Sequence, residues 1–434
     1  MYSIPYGKSQ LSFELPRSMR GTLLTSRQAE PIADVERAVA EALARPINSP
    51  TLKELARPGH RACIVFTDMT RASPDHLLVP ALLAELEAAG VGREDITLLC
   101  GTGMHRPSTM EEKVTKLGRD VVERYHVVDN EAQNPGMLVD LGTTEGGIPL
   151  SVNRIAYNAD LLIATGIVEP HLYAGYSGGR KTLAVGAAGE AMIAHTHGPG
   201  MVEHVGTRLG KTSGNVFHEA ITEAARRSGL LFILNVLQDD HGRPIKVLAG
   251  EPVSTFEELV KAARQIYEVP IPHQFDVAVA GVGYPKDVNI YQASRAATYL
   301  FFAPTPVIKE GGVIIIPAPT PEGAGDGVGE QRFLEKMRTA SDMTALLTEL
   351  RQTGYPPGAQ RAFVMAKVLE KVSVIIVDSR TPDIVRQTHM IPVSGMDNAL
   401  KVAAERIGRD NLEVLIVPHS LQTLPIISNG GNQG

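Results

Sequence analysis

At about 150 residues per domain, a chain of 434 residues has room for two or three domains, and 43% hydrophobic against 21% charged residues excludes wholesale disorder. The 42 Lys+Arg and 48 Asp+Glu leave a net charge of −6, which excludes a generically basic nucleic-acid surface. Cys63 and Cys100 are the only cysteines, too few for a disulfide framework or a multi-cysteine zinc or iron–sulfur site, so metal or acid–base chemistry falls to the 13 histidines, the carboxylates and the lysines.

The N-terminus, MYSIPYGK, has no basic region followed by an apolar stretch. No apolar run approaches the roughly 20 residues needed to cross a bilayer. The expectation is a cytoplasmic protein that engages neither membrane nor nucleic acid.

In chain order, short β-branched runs alternate with helical patterns. Residues 62–67 (ACIVFT) read as a strand and 75–89 as the helix behind it. Residues 96–100 (ITLLC) form the next strand, 110–117 a short helix, and 126–129 a weak strand. Residues 160–165 (DLLIAT) and 231–237 (LFILNVL) are buried strands. Two prolines within 269–273 (VPIPH) read as a linker. The pattern then restarts with 275–280 (FDVAVA), 312–316 (GVIII), 372–377 (VSVIIV) and 413–417 (EVLIV). The alternation predicts an α/β fold: two α/β domains, 1–270 and 274–434, with mainly parallel sheets and a ligand cleft between them. The tail 428–434 reads as unstructured, and the last residues are candidates to pack back on the first domain.

Several clusters follow strand ends, where parallel sheets place functional loops. Residues 166–182 (GIVEPHLYAGYSGGRKT) combine glycines, Ser177, Arg180 and Lys181, as an anion-binding loop would. A P-loop starting at Gly175 needs glycine at its sixth position, where this chain has Arg180, so the spacing fails. The plain alternative is a Gly-rich connection with solvated charges, although His171, Tyr173, Tyr176 and Lys181 are dense chemistry for one. Asp68, Thr70 and Arg71 follow the first strand, and Arg71 can grip a phosphate or carboxylate as a fork. The alternative there is a helix cap with a surface ion pair. His105 follows Gly101-Thr-Gly, where a lone histidine is commonly a surface residue. His195 and His197 precede a Gly-Pro break and by themselves are a weak metal signal. In the second half, Tyr291, Gln292 and Arg295 enter a helix, with Gln292 and Arg295 three apart on one face. They could hold a carboxylate or simply begin a surface helix.

Together these motifs resemble the nickel-dependent lactate racemase family, whose members racemise or epimerise hydroxyacids. The resemblance rests on Asp68-Met-Thr-Arg71, Thr102-Gly-Met-His105-Arg-Pro, Glu169-Pro-His171 running into Gly175-Tyr-Ser-Gly-Gly-Arg-Lys181, and His197 sixteen residues further on. It covers most of the chain, from Tyr6-Gly-Lys into the second domain. It implies a nickel-pincer nucleotide, the Ni(II) complex of pyridinium-3,5-bisthiocarboxylic acid mononucleotide, attached covalently at Lys181. The cofactor's carbon and two sulfurs and His197 would bind the metal, and four ligands in a plane suit Ni(II).

The resemblance assigns cofactor contacts to Asp68, Thr70, Arg71, Tyr176, Ser177, Gly178, Gly179 and Arg180. His105 and His171 match the family's acid–base pair, and Arg71, Tyr291, Gln292 and Arg295 its substrate contacts. The implied reaction is reversible proton-coupled hydride transfer through a 2-keto acid, which avoids an unfavourable carbanion beside a carboxylate. The implied partners are a small 2-hydroxycarboxylate and the cofactor-synthesis enzymes. Arg295 stands where the family's lactate enzyme has lysine, and this chain has no tryptophan. Both features widen the implied substrate from lactate to related 2-hydroxy acids. The competing readings are a phosphate-binding NTPase or kinase using the Lys181-Thr182 loop, and a non-catalytic binding homologue.

Overall fold

The buried β-branched runs form the centres of two six-stranded sheets. The computed structural model describes residues 1–356 and 358–428; the tail expectation beyond Ser428 lies outside these residues. The chain divides into two units. The first comprises Gln28–His197 and Thr212–Gln265, and the second comprises Met1–Arg27, Gly198–Lys211 and the chain from Ile266 onward. Both are α/β with mainly parallel sheets, as the alternation predicts. Among the described residues, no helix is long and apolar enough to cross a membrane.

In the first unit the strand order is Pro244–Gly250, Leu230–Gln238, Leu161–Ile167, Ala62–Thr67, Ile96–Gly101 and His126–Asp129. Only the Pro244–Gly250 edge is antiparallel. Ala62–Thr67 and Leu161–Ile167 are buried at every position, as expected of parallel strands covered on both faces. The helix Asp75–Ala88 places Leu78, Leu82 and Leu86 against Ile64, Phe66, Leu98 and Ile163. Each such side chain contributes roughly 1.5–3 kcal/mol on burial. Register brings Thr67 opposite Gly101 and Val65 opposite Ala164. The loops after these three strands therefore emerge along one edge of one sheet.

In the second unit the order is Ile391–Val393, Ser373–Val377, Ile308–Pro317, Phe275–Ala280, Glu413–Val417 and Arg20–Leu23, all parallel. Its core joins Val277, Val313, Ile375 and Ile416 to Ala399, Leu400 and Ala403 of the helix Met396–Ile407. Ile4, Phe13 and Met19 complete it.

A single cut between residues 270 and 274 describes only one of the chain's crossings between units. Residues Tyr2–Tyr6 and Ser9–Phe13 form an antiparallel hairpin, and Arg20–Leu23 adds an edge strand beside Glu413–Val417, which ties the N-terminal segment to the second unit. The expected linker is itself structured. Glu268–Ile271 pairs in parallel with Leu424–Ile427, with Pro270 in a two-stranded ribbon where a missing N–H is tolerated. The hairpin Leu138–Thr143/Pro149–Asn153 and the antiparallel Pro244–Gly250 edge were not expected.

Candidate active site

The site is assembled in the first unit from the loops following Ala62–Thr67, Ile96–Gly101 and Leu161–Ile167. After the first strand, Asp68 Oδ1 accepts from the Thr70 amide at 3.2 Å and the Thr70 hydroxyl at 2.6 Å, which makes a tight turn. Asp68 Oδ2 lies 2.6 Å from His105 Nδ1. The Asp68 side chain is 9% exposed and that of His105 54% exposed, so the carboxylate is buried and the imidazole faces outward. Burial pushes the Asp68 carboxyl up, but the His105 hydrogen bond and charge, the Thr70 hydroxyl and Arg71 outweigh it and hold the carboxyl below its usual range. An ionised Asp68 selects the Nδ1–H form of His105 and leaves Nε2 as the basic nitrogen.

The third loop folds back on itself. Pro170–His171 pairs antiparallel with Gly175–Tyr176, and Gly175 takes φ +76° at the turn. The Ser177 hydroxyl donates to the Ile167 carbonyl at 2.6 Å, so it pins the loop to its strand. His171 Nδ1 accepts from the Tyr173 and Ala174 amides at 3.3 and 3.2 Å, so the neutral ring carries its proton on Nε2. His171 and His197 flank the same aromatic pair, Tyr173 and Phe217. The His197 ring meets both edge-on at centroid distances of 5.3 Å.

His197 follows the helix Glu190–Thr196, and its Nδ1 lies 3.0 Å from the Ile193 carbonyl. That bond fixes the Nδ1–H tautomer and leaves Nε2 as the acceptor nitrogen of the ring. Burial, reinforced by the Lys181 charge, pushes its pKa down to about 3, so the ring is neutral. Lys181 is partly buried, and its ammonium makes no hydrogen bond or ion pair among the described residues. Burial first, and the Arg71 charge second, push its pKa down to about 7 against the opposing pull of Glu169 and Asp68. The Arg71 guanidinium likewise has no hydrogen-bond or ion-pair partner among the described residues. Two cations and a neutral imidazole thus lie in mutual electrostatic reach, an arrangement suited to receiving an anion.

Several expected contacts have other local duties here. Arg180 is 2% exposed and stacks 4.2 Å from the Phe256 ring centroid, with Nη1 donating to Thr222 at 2.7 Å. Gly178 and Gly179 pack against Phe256 and Asn235. Tyr176 is fully buried. Both cysteine thiols are buried and pushed up to about 12, so neither is a thiolate nucleophile. Among the described residues no group of three or more His, Cys, Asp or Glu could hold a metal.

In the second unit Asn289 caps the turn Ile290–Ala293, and Ser294 joins it to the helix Arg295–Phe301. Gln292 and Arg295 meet as their spacing predicts: Arg295 Nη1 is 3.4 Å from Gln292 Oε1, and Nη2 is 3.1 Å from the Tyr299 hydroxyl. The Tyr291 ring lies under the Arg361 guanidinium at 5.2 Å.

Residues 6–210 match the lactate racemase N-terminal domain, and residues 272–424 match the lactate racemase C-terminal domain. A lactate racemase of Thermoanaerobacterium thermosaccharolyticum is 31% identical over 424 residues, spanning 97% of this chain and 98% of that protein. The chain belongs to the lactate racemase family. A second lactate racemase, from Lactiplantibacillus plantarum, is 32% identical over 426 residues, spanning 96% of this chain and 98% of that protein. The structure of the lactate racemase apoprotein from T. thermosaccharolyticum superimposes with a TM-score of 0.86 at 30% identity, covering 98% and 99% of the two chains. A crystal structure of a Thermotoga maritima protein shares the fold at a TM-score of 0.63 and 21% identity, over 91% and 97% of the two chains. Membership makes this chain an isomerase of the racemase class.

Phe217, Asp75 and Lys116 escaped the sequence reading. Phe217 sits in an ordinary amphipathic helix, Val216–Arg227, and only the tertiary fold brings it between two histidines.

Proposed function

We propose that the protein racemises or epimerises a small 2-hydroxycarboxylate with a nickel-pincer nucleotide attached at Lys181. One observation carries the reading: the half-buried Lys181 amine is pushed down to about 7 beside Arg71 and a neutral His197. An amine half deprotonated near neutrality can be acylated, as a thioamide attachment requires. A neutral His197 presenting Nε2 suits a single protein ligand to Ni(II). The residues present therefore fit the group. A metal here would need donors beyond the chain's own, and the nucleotide's thio-acids would supply them. Lys181, Arg71 and His197 would hold the cofactor, which when bound supplies the hydride acceptor and donor.

The chain's own groups do the rest. His105 Nε2 takes the substrate hydroxyl proton, with Asp68 orienting the ring and stabilising the imidazolium that forms. His171 is the proposed acid–base group for the other enantiomer; because Nδ1 accepts from two backbone amides, taking the hydroxyl proton at Nε2 requires the ring to give up those bonds and carry its own proton on Nδ1. Two acid–base groups are needed because the hydroxyl points in opposite directions in the two enantiomers. Arg71 would hold the substrate carboxylate, and the family resemblance assigns further substrate contacts to Tyr291, Gln292 and Arg295. The named relatives are lactate racemases; Arg295 extends the proposed range to lactate-like acids with larger or more polar side chains.

Intact mass after co-expression with the cofactor-synthesis enzymes tests the assignment. The expected outcome is an added mass on the wild type, lost in Lys181→Ala, with nickel by elemental analysis lost in His197→Ala. Neither adduct nor nickel in such material would overturn it. A chiral assay over a panel of 2-hydroxy acids then defines the substrate, and Arg295→Lys should shift the preferred member.

A further inference from the structure

The loop carrying Asp68 and Arg71 rests on a buried pair of opposite charges that no step above uses. Asp75 is fully buried at the start of the helix behind the loop. Its Oδ2 accepts from the Thr67 hydroxyl at 2.7 Å and lies 3.2 Å from Lys116 Nζ. Its Oδ1 accepts from the Thr165 hydroxyl at 2.6 Å and from Ser73 at 3.1 Å. Thr67 ends one strand of the site, Thr165 lies near the end of another, and Lys116 belongs to the helix Met110–Leu117 that follows His105. One carboxylate thus ties together the elements that carry three of the site's clusters.

Lys116, 6% exposed, divides its protons among Asp75, the Arg71 carbonyl and the Ser73 carbonyl, the last two at 2.8 Å each. Gln238 Nε2 takes the intervening Ala72 carbonyl at 3.1 Å. Three consecutive loop carbonyls are therefore held by buried side chains from other elements. The loop's other end is held at Asp68, where the Arg71 amide donates to the Asp68 carbonyl at 3.2 Å. A buried ion pair is weak evidence for stability, since apolar replacement of both partners is often neutral. No apolar side chain can donate to the Arg71 and Ser73 carbonyls, however, and lysine's three donors match the three acceptors.

We propose that Asp75 and Lys116 are positioning residues that hold the 68–73 loop, and through Asp68 the His105 ring, in the geometry for proton transfer. The catalytic half of this statement rests on the reading of His105 as a base; the structural half does not. The test therefore has two arms. In unloaded protein, long-range nitrogen–proton NMR of labelled histidines, assigned against His105→Gln, reads the His105 tautomer. The wild type should populate the Nδ1–H form alone, and Lys116→Met should mix the two forms. In loaded enzyme, Lys116→Met should lower kcat by about 10²-fold, as expected of a misplaced catalytic group. Lys116→Arg should restore part of kcat by donating again to the loop. The charge-neutral pair Asp75→Asn/Lys116→Met guards against a folding defect: without the unpaired buried carboxylate it should melt above Lys116→Met yet keep the mixed tautomer. A single retained tautomer in Lys116→Met, or a loss confined to melting temperature, would overturn the proposal. If the NMR arm holds and the loaded protein racemises nothing, the functional reading has failed and the positioning role stands.

Discussion

At the scale of single residues, Lys181 is out of place by ordinary rules. A lysine that gives up hydration without a hydrogen-bonded or ion-paired partner among the described residues destabilises the fold that holds it. Its folded pKa is about 7 and its ordinary value 10.5, so between those values the unfolded chain binds more protons and stability rises with pH. Below about 7 the penalty is fully present. Lys181→Met should therefore raise the melting temperature of unloaded protein below about pH 7, and the gain should fade toward 10.5. Thermal melts of the two proteins across that window check this; a gain independent of pH would contradict a charge-burial origin. Asp68 makes the opposite case, with a carboxyl held below its usual range by the groups it orients. Asp68→Asn should lower kcat of loaded enzyme by about 10²–10⁴-fold, because an amide neither fixes the His105 tautomer nor stabilises its cation. A chiral assay at saturating substrate reads the loss.

At the scale of elements, the site depends on chain crossings that only glycine permits. A Cβ on Gly166 would lie 2.7 Å from the Gly179 nitrogen and 2.8 Å from the Gly178 carbonyl carbon, both backbone atoms that cannot give way. One on Gly186 would lie 2.8 Å from the Gly101 carbonyl oxygen. The segment bearing Lys181 is thus threaded against the ends of two strands. Gly166→Ala should destabilise the protein by about 1–3 kcal/mol through overpacking. Gly200→Ala, in a helix with nothing within 4 Å of the new methyl, should be neutral or slightly stabilising. Denaturant midpoints of the two variants decide it. The sequence reading took the glycines at 178 and 179 as room for an anion; their contacts add a packing reason. What was legible follows from local pattern: fully buried runs such as ACIVFT mark parallel strands, and a strand end followed by Asp-Met-Thr-Arg marks a loop with chemistry. Lys116 carries no such local mark, because its three acceptors come from Arg71, Ser73 and Asp75, distant in sequence. Asp75 carries none either, since its partners Thr165 and Lys116 are distant in sequence.

At the scale of the whole molecule, the N-terminal 27 residues decide whether the second unit can stand. Arg20–Leu23, sequence RGTL, carries almost no strand signal and earns its place by pairing with Glu413–Val417. No local pattern links residues 20–23 to 413–417, so the sequence could not reveal the pairing. Ile4, Phe13 and Met19 are buried in the core of a sheet whose other strands begin after residue 274. At roughly 1.5–3 kcal/mol per apolar side chain, their loss is comparable to the net stability of a domain. Residues 266–428 alone, although they contain the whole match to the family's C-terminal domain, should therefore be molten or insoluble. The geometry also supplies the remedy. The Arg27 amide donates to the Ile266 carbonyl at 2.9 Å, so the two segments can be joined directly by a short glycine linker. The spliced chain, 1–27 followed by 266–428, should give a cooperative melt and native-like circular dichroism, with a lower midpoint than the intact protein. It still lacks residues 198–211, whose Glu203 pairs with Arg351 and Lys367. If 266–428 alone melts as cooperatively as the spliced chain, the N-terminal segment is dispensable and the burial of Ile4, Phe13 and Met19 contributes far less than its area implies.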